Sequence, residues 1–229
     1  MLSIIIPALN EEETIQSCLQ RLQPLRGREA EVILVDGGSS DRTVALARGF
    51  ADVVINAPCG RALQMNAGAR RASGETLLFL HADNILPTEA MEQIDAASNG
   101  PQFVWGRFDV QFVSSLRILQ VVAALMNLRS RYTGIATGDQ AIFVQRAAFE
   151  RIGGFPEIPI MEDISISRLL KRIAPPVCLR SKVTTSGRRW EQDGAIRTIL
   201  LMWRLRLEYF FGADPSHLAI RYLYGRRNS

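Results

Sequence analysis

Four short apolar runs, each followed by a turn and an amphipathic stretch, decide most of what this chain can fold into. Residues 2–6 read LSIII, 32–35 VILV, 52–56 DVVIN and 76–80 TLLFL. Runs this short and this rich in β-branched residues, without polar alternation, suit strands covered on both faces. Between the first two, NEEETIQSCLQRLQPL places Ile15, Leu19 and Leu22 on one helical face. Asn10 serves there as N-cap, with glutamates in the first turn where the helix dipole favours acid. In EVILVDGGSSDRTVALARGF, Gly37 and Gly38 turn the chain and Ser40 or Asp41 caps the next helix. GRALQMNAGARRASG then reads as a helix closing at Gly74. Strand and helix alternating at such intervals predict right-handed crossovers and a parallel sheet.

The second half is less regular. FVWGRFDVQFV, residues 103–113, alternates and predicts one or two antiparallel strands. SLRILQVVAALMNLRSRY is an amphipathic helix, AIFVQ a short strand, and EDISISRLLKRI a helix through Ile164, Ile166, Leu169, Leu170 and Ile173. No internal repeat or low-complexity linker interrupts the chain. With 229 residues and 47% apolar side chains, one substantial core is expected, carrying a small C-terminal extension.

Charge is uneven. From Arg180 onward there are ten basic and four acidic residues, whereas the preceding 179 residues hold 17 and 19. Such a tail suits nucleotide phosphates, an anionic membrane surface, or no partner at all; no nucleic-acid partner is expected. Cys18, Cys59 and Cys178 have neither disulfide-framework nor zinc spacing, which favours a reducing cytoplasm. MLSIIIPALNEEE has no basic leader and Pro7 breaks its apolar run, so no signal peptide is read. LQVVAALMNL and TILLMW are too short to span a bilayer, so any membrane contact is expected to be peripheral.

In open parallel sheets, ligands bind beyond the carboxyl ends of the strands. Here those ends carry Pro7, Asn10 and Glu11, then Asp36 with GGSSD, then His81, Asp83 and Asn84 in TLLFLHADN. One such residue is easily a turn former; three acidic strand ends on one rim point to a site. PALNEE stands where a dinucleotide-binding domain would have its glycine-rich turn, and no GxxxxGK[ST] occurs. A sugar-phosphate nucleotidyltransferase would also want a glycine-rich basic loop after the first strand.

Together SIIIPALNEEETI, VILVDGGSSDRT, NAGARRASGETLLFLHADN and MEDISISRLLKR resemble the family 2 glycosyltransferases of the GT-A fold, over residues 2 to 190. GRALQMNAGA and HAD are most similar to a small bacterial branch labelled as arsenosugar-biosynthesis-associated, or as related to carotenoid (diaponeurosporenoate-type) glycosyltransferases. The resemblance implies an α/β fold in which a mostly parallel nucleotide-binding sheet runs into a mixed acceptor-side half. It implies a GT-A domain over residues 1–190, with residues 191–229 as a basic helical extension packed on it.

The resemblance also implies roles. Pro7, Ala8, Leu9, Glu11, Gly38 and Ala82 form the nucleotide pocket, Asp36 hydrogen-bonds the base, and Arg61 meets the diphosphate. HADN stands at the DXD metal motif, so Asp83 is the principal ligand of Mg2+ or Mn2+, cations that suit oxygen donors beside a diphosphate. His81 departs from the usual first Asp. As a ligand it favours Mn2+; as a packed histidine it favours nothing. Asp163, with Glu162 beside it, is the catalytic base, or else an N-cap. Gly138 and Asp139 of TGDQ, with Arg188, Arg189 and Trp190 of SGRRW, lie on the acceptor side. SGRRW lacks the glutamine of the motif that accompanies processive synthases, which implies single additions. AIRTILLMWRLRLEYFF, with Arg197, Arg204 and Arg206, either packs on the core or docks on a membrane.

The expectation is therefore a metal-dependent, inverting, non-processive transfer from a nucleotide-diphosphate sugar, UDP-linked in the first instance, to a hydroxyl of a small or lipid-like acceptor. It is placed in the cytoplasm or at the inner face of the cell membrane. A nucleotidyltransferase and a non-catalytic nucleotide-sugar or membrane-binding scaffold are the alternatives.

Overall fold

The computed structural model describes residues 1–26 and 30–227, without the side chains of Arg189, Gln192 and 223–227. The chain runs β1 (Leu2–Ala8), α1 (Ile15–Arg26), β2 (Ala30–Asp36), α2 (Thr43–Ala47), β3 (Val53–Asn56), α3 (Arg61–Arg71), β4 (Thr76–Phe79) and α4 (Ala90–Ser98). It continues β5 (Trp105–Val113), α5 (Ile118–Thr133), a 3-10 turn (Gly138–Gln140), β6 (Phe143–Gln145), α6 (Arg146–Arg151) and α7 (Glu162–Lys171). It closes with β7 (Val177–Ser186), α8 (Arg188–Asp193), α9 (Ala195–Phe210) and α10 (Pro215–Arg227).

The strands form one seven-stranded sheet in the order β3-β2-β1-β4-β6-β5-β7. β1 to β4 are parallel where they pair, and β6 runs against both β4 and β5. The alternating segment at 103–113 is one strand, β5. It is antiparallel to β6 over two pairs and parallel to β7 over eight. The antiparallel expectation for that segment therefore holds against β6 and fails against β7, because alternation in sequence reports burial of one face and is silent on the partner's direction. β7 itself was not expected. It is an edge strand in which Arg180 and Lys182 break up the apolar pattern, as edge strands require.

Because side chains alternate across a strand, β1 feeds two cores. Leu2, Ile4 and Ile6 pack with Ile15, Leu19 and Leu22 of α1 and with Met91 and Ile94 of α4. Ile5, with Ile33 and Val35 of β2, packs under Met65 and Ala69 of α3 and, further along, Ile166 and Leu170 of α7. The sheet thus lies between two helical layers. A Cβ on Gly68 would stand 2.4 Å from Ile5 Cγ2, so α3 reaches the sheet only because that position is bare.

Two helix starts differ from expectation. α1 begins at Ile15, so the glutamates of NEEE precede it, and Asn10, at φ 53°, spends its side chain on Ser40. α2 begins at Thr43 after an Arg42 cap whose side chain makes no capping bond, while Asp41 accepts from Thr43 N and from Glu12 N. Both loops thus bond to each other. α3 likewise ends at Arg71, three residues before Gly74.

α9 and α10 lie against the start of α7: Leu205 and Leu218 bury with Met161 and Ile164, and Tyr209 Oη is 2.5 Å from Ser165 Oγ. No helix among the described residues is long and apolar enough to cross a membrane. The basic tail's Arg226 and Arg227 have side chains outside the described residues.

α5 is seated on β5 by polar contacts. Asn127 takes Val110 N on its Oδ1 and gives its Nδ2 to Val110 O. Beneath it Arg107, with no exposed surface, bonds Asp109, which also accepts Arg131 Nη2 at 3.0 Å on both oxygens. A buried guanidinium stripped of its carboxylate is an uncompensated charge. Asp109→Ala should therefore cost about 3–5 kcal/mol of unfolding free energy in urea titration; a loss below about 1 kcal/mol would mean that Arg107 is neutralised some other way.

Candidate active site

Along the carboxyl edge of the sheet opens a cavity of about 1190 Å3. One end is built by the loop after β1 (Pro7 to Glu11), the loop after β4 (His81 to Asp83) and the first turn of α3. Gly138 and Asp139, then Glu162 and Asp163, form its floor toward the middle. The lining also has an apolar part, with Val121, Leu125 and Tyr132 of α5 and Ile199, Met202 and Trp203 of α9.

The first loop is held by its neighbour. Asn10 N donates to Ser39 Oγ and Glu11 N to Thr43 Oγ1, while Gln64 of α3 gives its Nε2 to Ala8 O and Val35 O at 2.8 Å. The GGSSDRT segment therefore serves PALNEE directly. Asp36 is turned into its own bend, accepting from Gly38 N at 2.9 Å and Ser39 N at 3.0 Å. Asp36 and Gly38, both expected in the site, do not line the cavity.

The loop at 137–140 ties the motifs together. Gly138 N donates to Asp163 Oδ2 at 3.1 Å, and Ile164 N to Oδ1 at 2.7 Å, so two amides fix the carboxylate. His81 Nδ1 stands 3.4 Å from Asp139 Oδ1, and Asn84 Nδ2 donates to Asp139 O. A Cβ on Gly138 would come within 2.5 Å of the His81 ring. HADN and MED thus meet through TGDQ, which a Thr137–Gln140 capping box stiffens. Asp163 is not the N-cap of α7; Met161 holds that place, at φ 70°. Met161, Asn10 and Ala141 are the non-glycine residues with positive φ among those described, and each sits at one of these loops.

Glu162 is buried beside Asp163, with Arg61 Nη1 3.4 Å away. Burial, reinforced by the Asp163 charge and opposed by Arg61, pushes its carboxyl above the ordinary range. Arg61 itself is half exposed on the cavity wall. Cys18 lies under the Asp83 loop, its Sγ 3.7 Å from Asn84 O; burial, with Asp83 and Glu11 adding to it, pushes the thiol up to about 12 and leaves it inert. Arg188 pairs with Glu13 across the rim, and Trp190 meets Phe112 edge-on at 5.7 Å. The Arg189 side chain lies outside the described residues.

No group of three or more His, Cys, Asp or Glu side chains converges into a metal cage among the described residues. That donor set suits Mg2+ or Mn2+ only in the manner in which these ions bind phosphates, through one or two carboxylates completed by substrate oxygens. Asp83 lines the cavity and offers such a carboxylate. His81 is engaged instead with Asp139 and Gly138.

Among the cavity residues that escaped sequence reasoning are Gln64, Arg129 and Arg206. Gln64 and Arg129 sit in helices whose periodicity marks only the apolar face, and nothing singles out one polar position among many. Arg206 was read only as part of a segment that packs on the core or docks on a membrane, and it lines the cavity.

A family model described as Glycosyl transferase family 2 matches residues 3–152. An undecaprenyl-phosphate 4-deoxy-4-formamido-L-arabinose transferase of Pseudomonas paraeruginosa is 30% identical over 152 residues, covering 61% of this chain and 44% of its own. The chain spans less than half the length of the curated relatives it matches. Among solved structures, TarS 1-349 of S. aureus in complex with UDP-GlcNAc superposes with a TM-score of 0.66 at 21% identity, covering 81% of this chain and 58% of that one. The mannosyltransferase PcManGT of Pyrobaculum calidifontis, in complex with GDP-Man and Mn2+, gives 0.65 at 20% identity, covering 94% and 66%. These likenesses match the expected GT-A fold.

The raised Glu162 carboxyl has a measurable consequence. A group that holds its proton more tightly when folded contributes stability at low pH that is lost as pH rises through the folded value. Glu162→Gln has no such loss, so its Tm relative to the native chain should climb between pH 5 and pH 8. A difference that stays flat across that window would contradict the burial and charge environment described here.

Proposed function

The chain belongs to glycosyl transferase family 2, and on that premise we propose that it carries out an inverting, non-processive transfer from a nucleotide-diphosphate sugar, UDP-linked, to a hydroxyl of a small or lipid-like acceptor. The observation that carries this reading is that Asp83 and Asp163 border one cavity, joined through the loop at 137–140. Residues 1–190 form the catalytic domain in this proposal, and the helices from 191 onward close its acceptor end.

Pro7, Ala8, Leu9, Glu11 and Ala82 receive the nucleoside, Asp36 and Gly38 act by shaping the turn that braces them, and Arg61 turns toward the diphosphate. Mg2+ or Mn2+, held by Asp83 and the diphosphate oxygens, would neutralise charge on the leaving group. Neighbouring folds solved with UDP-GlcNAc, or with GDP-Man and Mn2+, support both donor and metal. Inversion needs one carboxylate to accept the hydroxyl proton as that oxygen attacks the anomeric carbon opposite the diphosphate. Asp163 does this: two backbone amides fix its orientation, so little reorganisation is needed when the proton arrives. Glu162 stands beside it, its carboxyl raised by burial and by the Asp163 charge and held near Arg61. Gly138, Asp139, Arg188 and Trp190 border the acceptor side.

A lipid-like acceptor is supported by the exposed Val121, Leu125, Leu128 and Tyr132 of α5 and Trp203 of α9 at the cavity mouth, and by the relative named for an undecaprenyl-phosphate substrate. The same exposed rim supports peripheral contact with the inner face of a cell membrane.

Calorimetry with UDP and Mn2+ tests the donor site. The native chain should bind, and Asp83→Ala should lose the metal-dependent part; unchanged binding in the variant would remove Asp83 from the site. Asp163→Asn should lower transfer by about 100-fold or more while UDP binding persists. Turnover within a few-fold of native would move the base elsewhere.

A further inference from the structure

The carboxylate that the sequence offered to the base is engaged elsewhere. Asp36 closes its own bend on Gly38 N and Ser39 N and does not line the cavity, and Gly37 beside it has no side chain to offer. A polar side chain of α3 stands there instead. Gln64 lines the cavity at 3% exposure, and a Cβ on Gly37 would meet its Cδ, Nε2 and Oε1 all at 3.1 Å. Equal distances to the three atoms mean that the carboxamide lies flat over Gly37, whose bare α-carbon leaves it that room.

The carboxamide has one orientation. Two carbonyl oxygens, Ala8 O and Val35 O, stand 2.8 Å from Nε2, and only an N–H face can meet both. Both of its donors are thus engaged with the ends of β1 and β2, where Ala8 O also takes the Gly37 amide. Oε1 receives no hydrogen bond from any described residue, and it is not among the polar atoms sealed away from solvent. What remains is a fixed, uncharged acceptor on the cavity wall that Pro7, Ala8 and Leu9 also line. A buried amide with one half unbonded is stable where a ligand or water completes it.

We propose that Gln64 selects the base of the nucleotide donor, its Oε1 accepting the ring N–H of uracil. Resting on the glycosyl-transfer reading, this assigns base recognition to α3 and takes it from Asp36. Uracil carries a proton on its ring N3, whereas cytosine presents a lone pair at the same atom. With both Nε2 protons held by backbone carbonyls, Gln64 cannot turn its amide round to donate to cytosine without breaking two bonds. A carboxamide free to flip would accept either base. This one sets an acceptor against cytosine's lone pair, and the mismatch is what rejects it.

Calorimetry in Mn2+ with UDP, CDP and 3-methyl-UDP, whose ring N3 carries a methyl group in place of the proton, tests this on the native chain and on Gln64→Met. Methionine keeps the length of the side chain and removes its acceptor and donors. Native protein should bind UDP at least about tenfold more tightly than either analogue, as expected when one hydrogen bond is lost and its buried acceptor left unpaired. In Gln64→Met the ratio of UDP to CDP affinity should fall to within about twofold of one. A residue that merely braces the first loop behaves differently. Its loss would weaken UDP and CDP alike, and a ratio that stays at the native value in the variant would overturn base selection by Gln64. Tight native binding of 3-methyl-UDP would place the discrimination at the 4-position of the ring and overturn the role of Oε1. Equal native binding of all three would overturn the proposal and leave the donor site standing, whereas binding of none would sink the donor reading itself. The native comparison decides the matter whether or not the variant folds.

Discussion

The direction of one strand sets the position of everything in the cavity. β6 runs against its neighbours, so its beginning lies where β4 ends: Phe143 pairs with Leu78, and Phe79 N bonds Ile142 O. The chain entering β6 must therefore pass the mouth of the HAD loop. That is why Gly138 and Asp139, more than fifty residues downstream, touch His81 and Asn84. A parallel β6 would deliver the same residues to the opposite edge. Once the loop is there, the Gly138 amide reaches Asp163, and the metal motif and the base share a floor.

The cavity is then polarised by what each layer can afford to bury. Its lining includes carboxylates beside Arg61 and also Arg129 and Arg206, together with aliphatic side chains. Backbone strain accompanies this arrangement. Met161, Asn10 and Ala141 hold left-handed conformations beside Glu162, the first loop and the 137–140 turn. Residues other than glycine pay about 1–3 kcal/mol for such geometry, and they persist where surrounding contacts over-determine the fold.

Much of the inner end was legible from sequence because strand ends are self-announcing: a short apolar run stops, and whatever follows sits on the rim. His81, Asp83 and Glu11 were readable in that way, whereas Asp163, which heads a helix, was readable only through the family resemblance. Asp36 shows the limit of the method. Its place at the end of β2 was right, but a carboxylate two residues from an amide-rich bend can satisfy itself locally, and it does so with Gly38 and Ser39. Asn10 likewise exchanged an expected helix cap for a bond to Ser40, because the second loop offered a partner that only folding brings near.

From the residue order alone came the alternation of strand and helix, the parallel first half, the rim as the place of chemistry, and the acids that stand there. These follow from local periodicity and from the rule that crossovers have one hand. What needed the folded chain was the pairing of β5 with β7, the meeting of TGDQ with both acidic motifs, and the turning of Arg129 and Arg206 into a shared hollow. Each depends on which face of an element meets a partner far along the chain, and a helical period of 3.6 residues says where the apolar face is without saying what stands across from it.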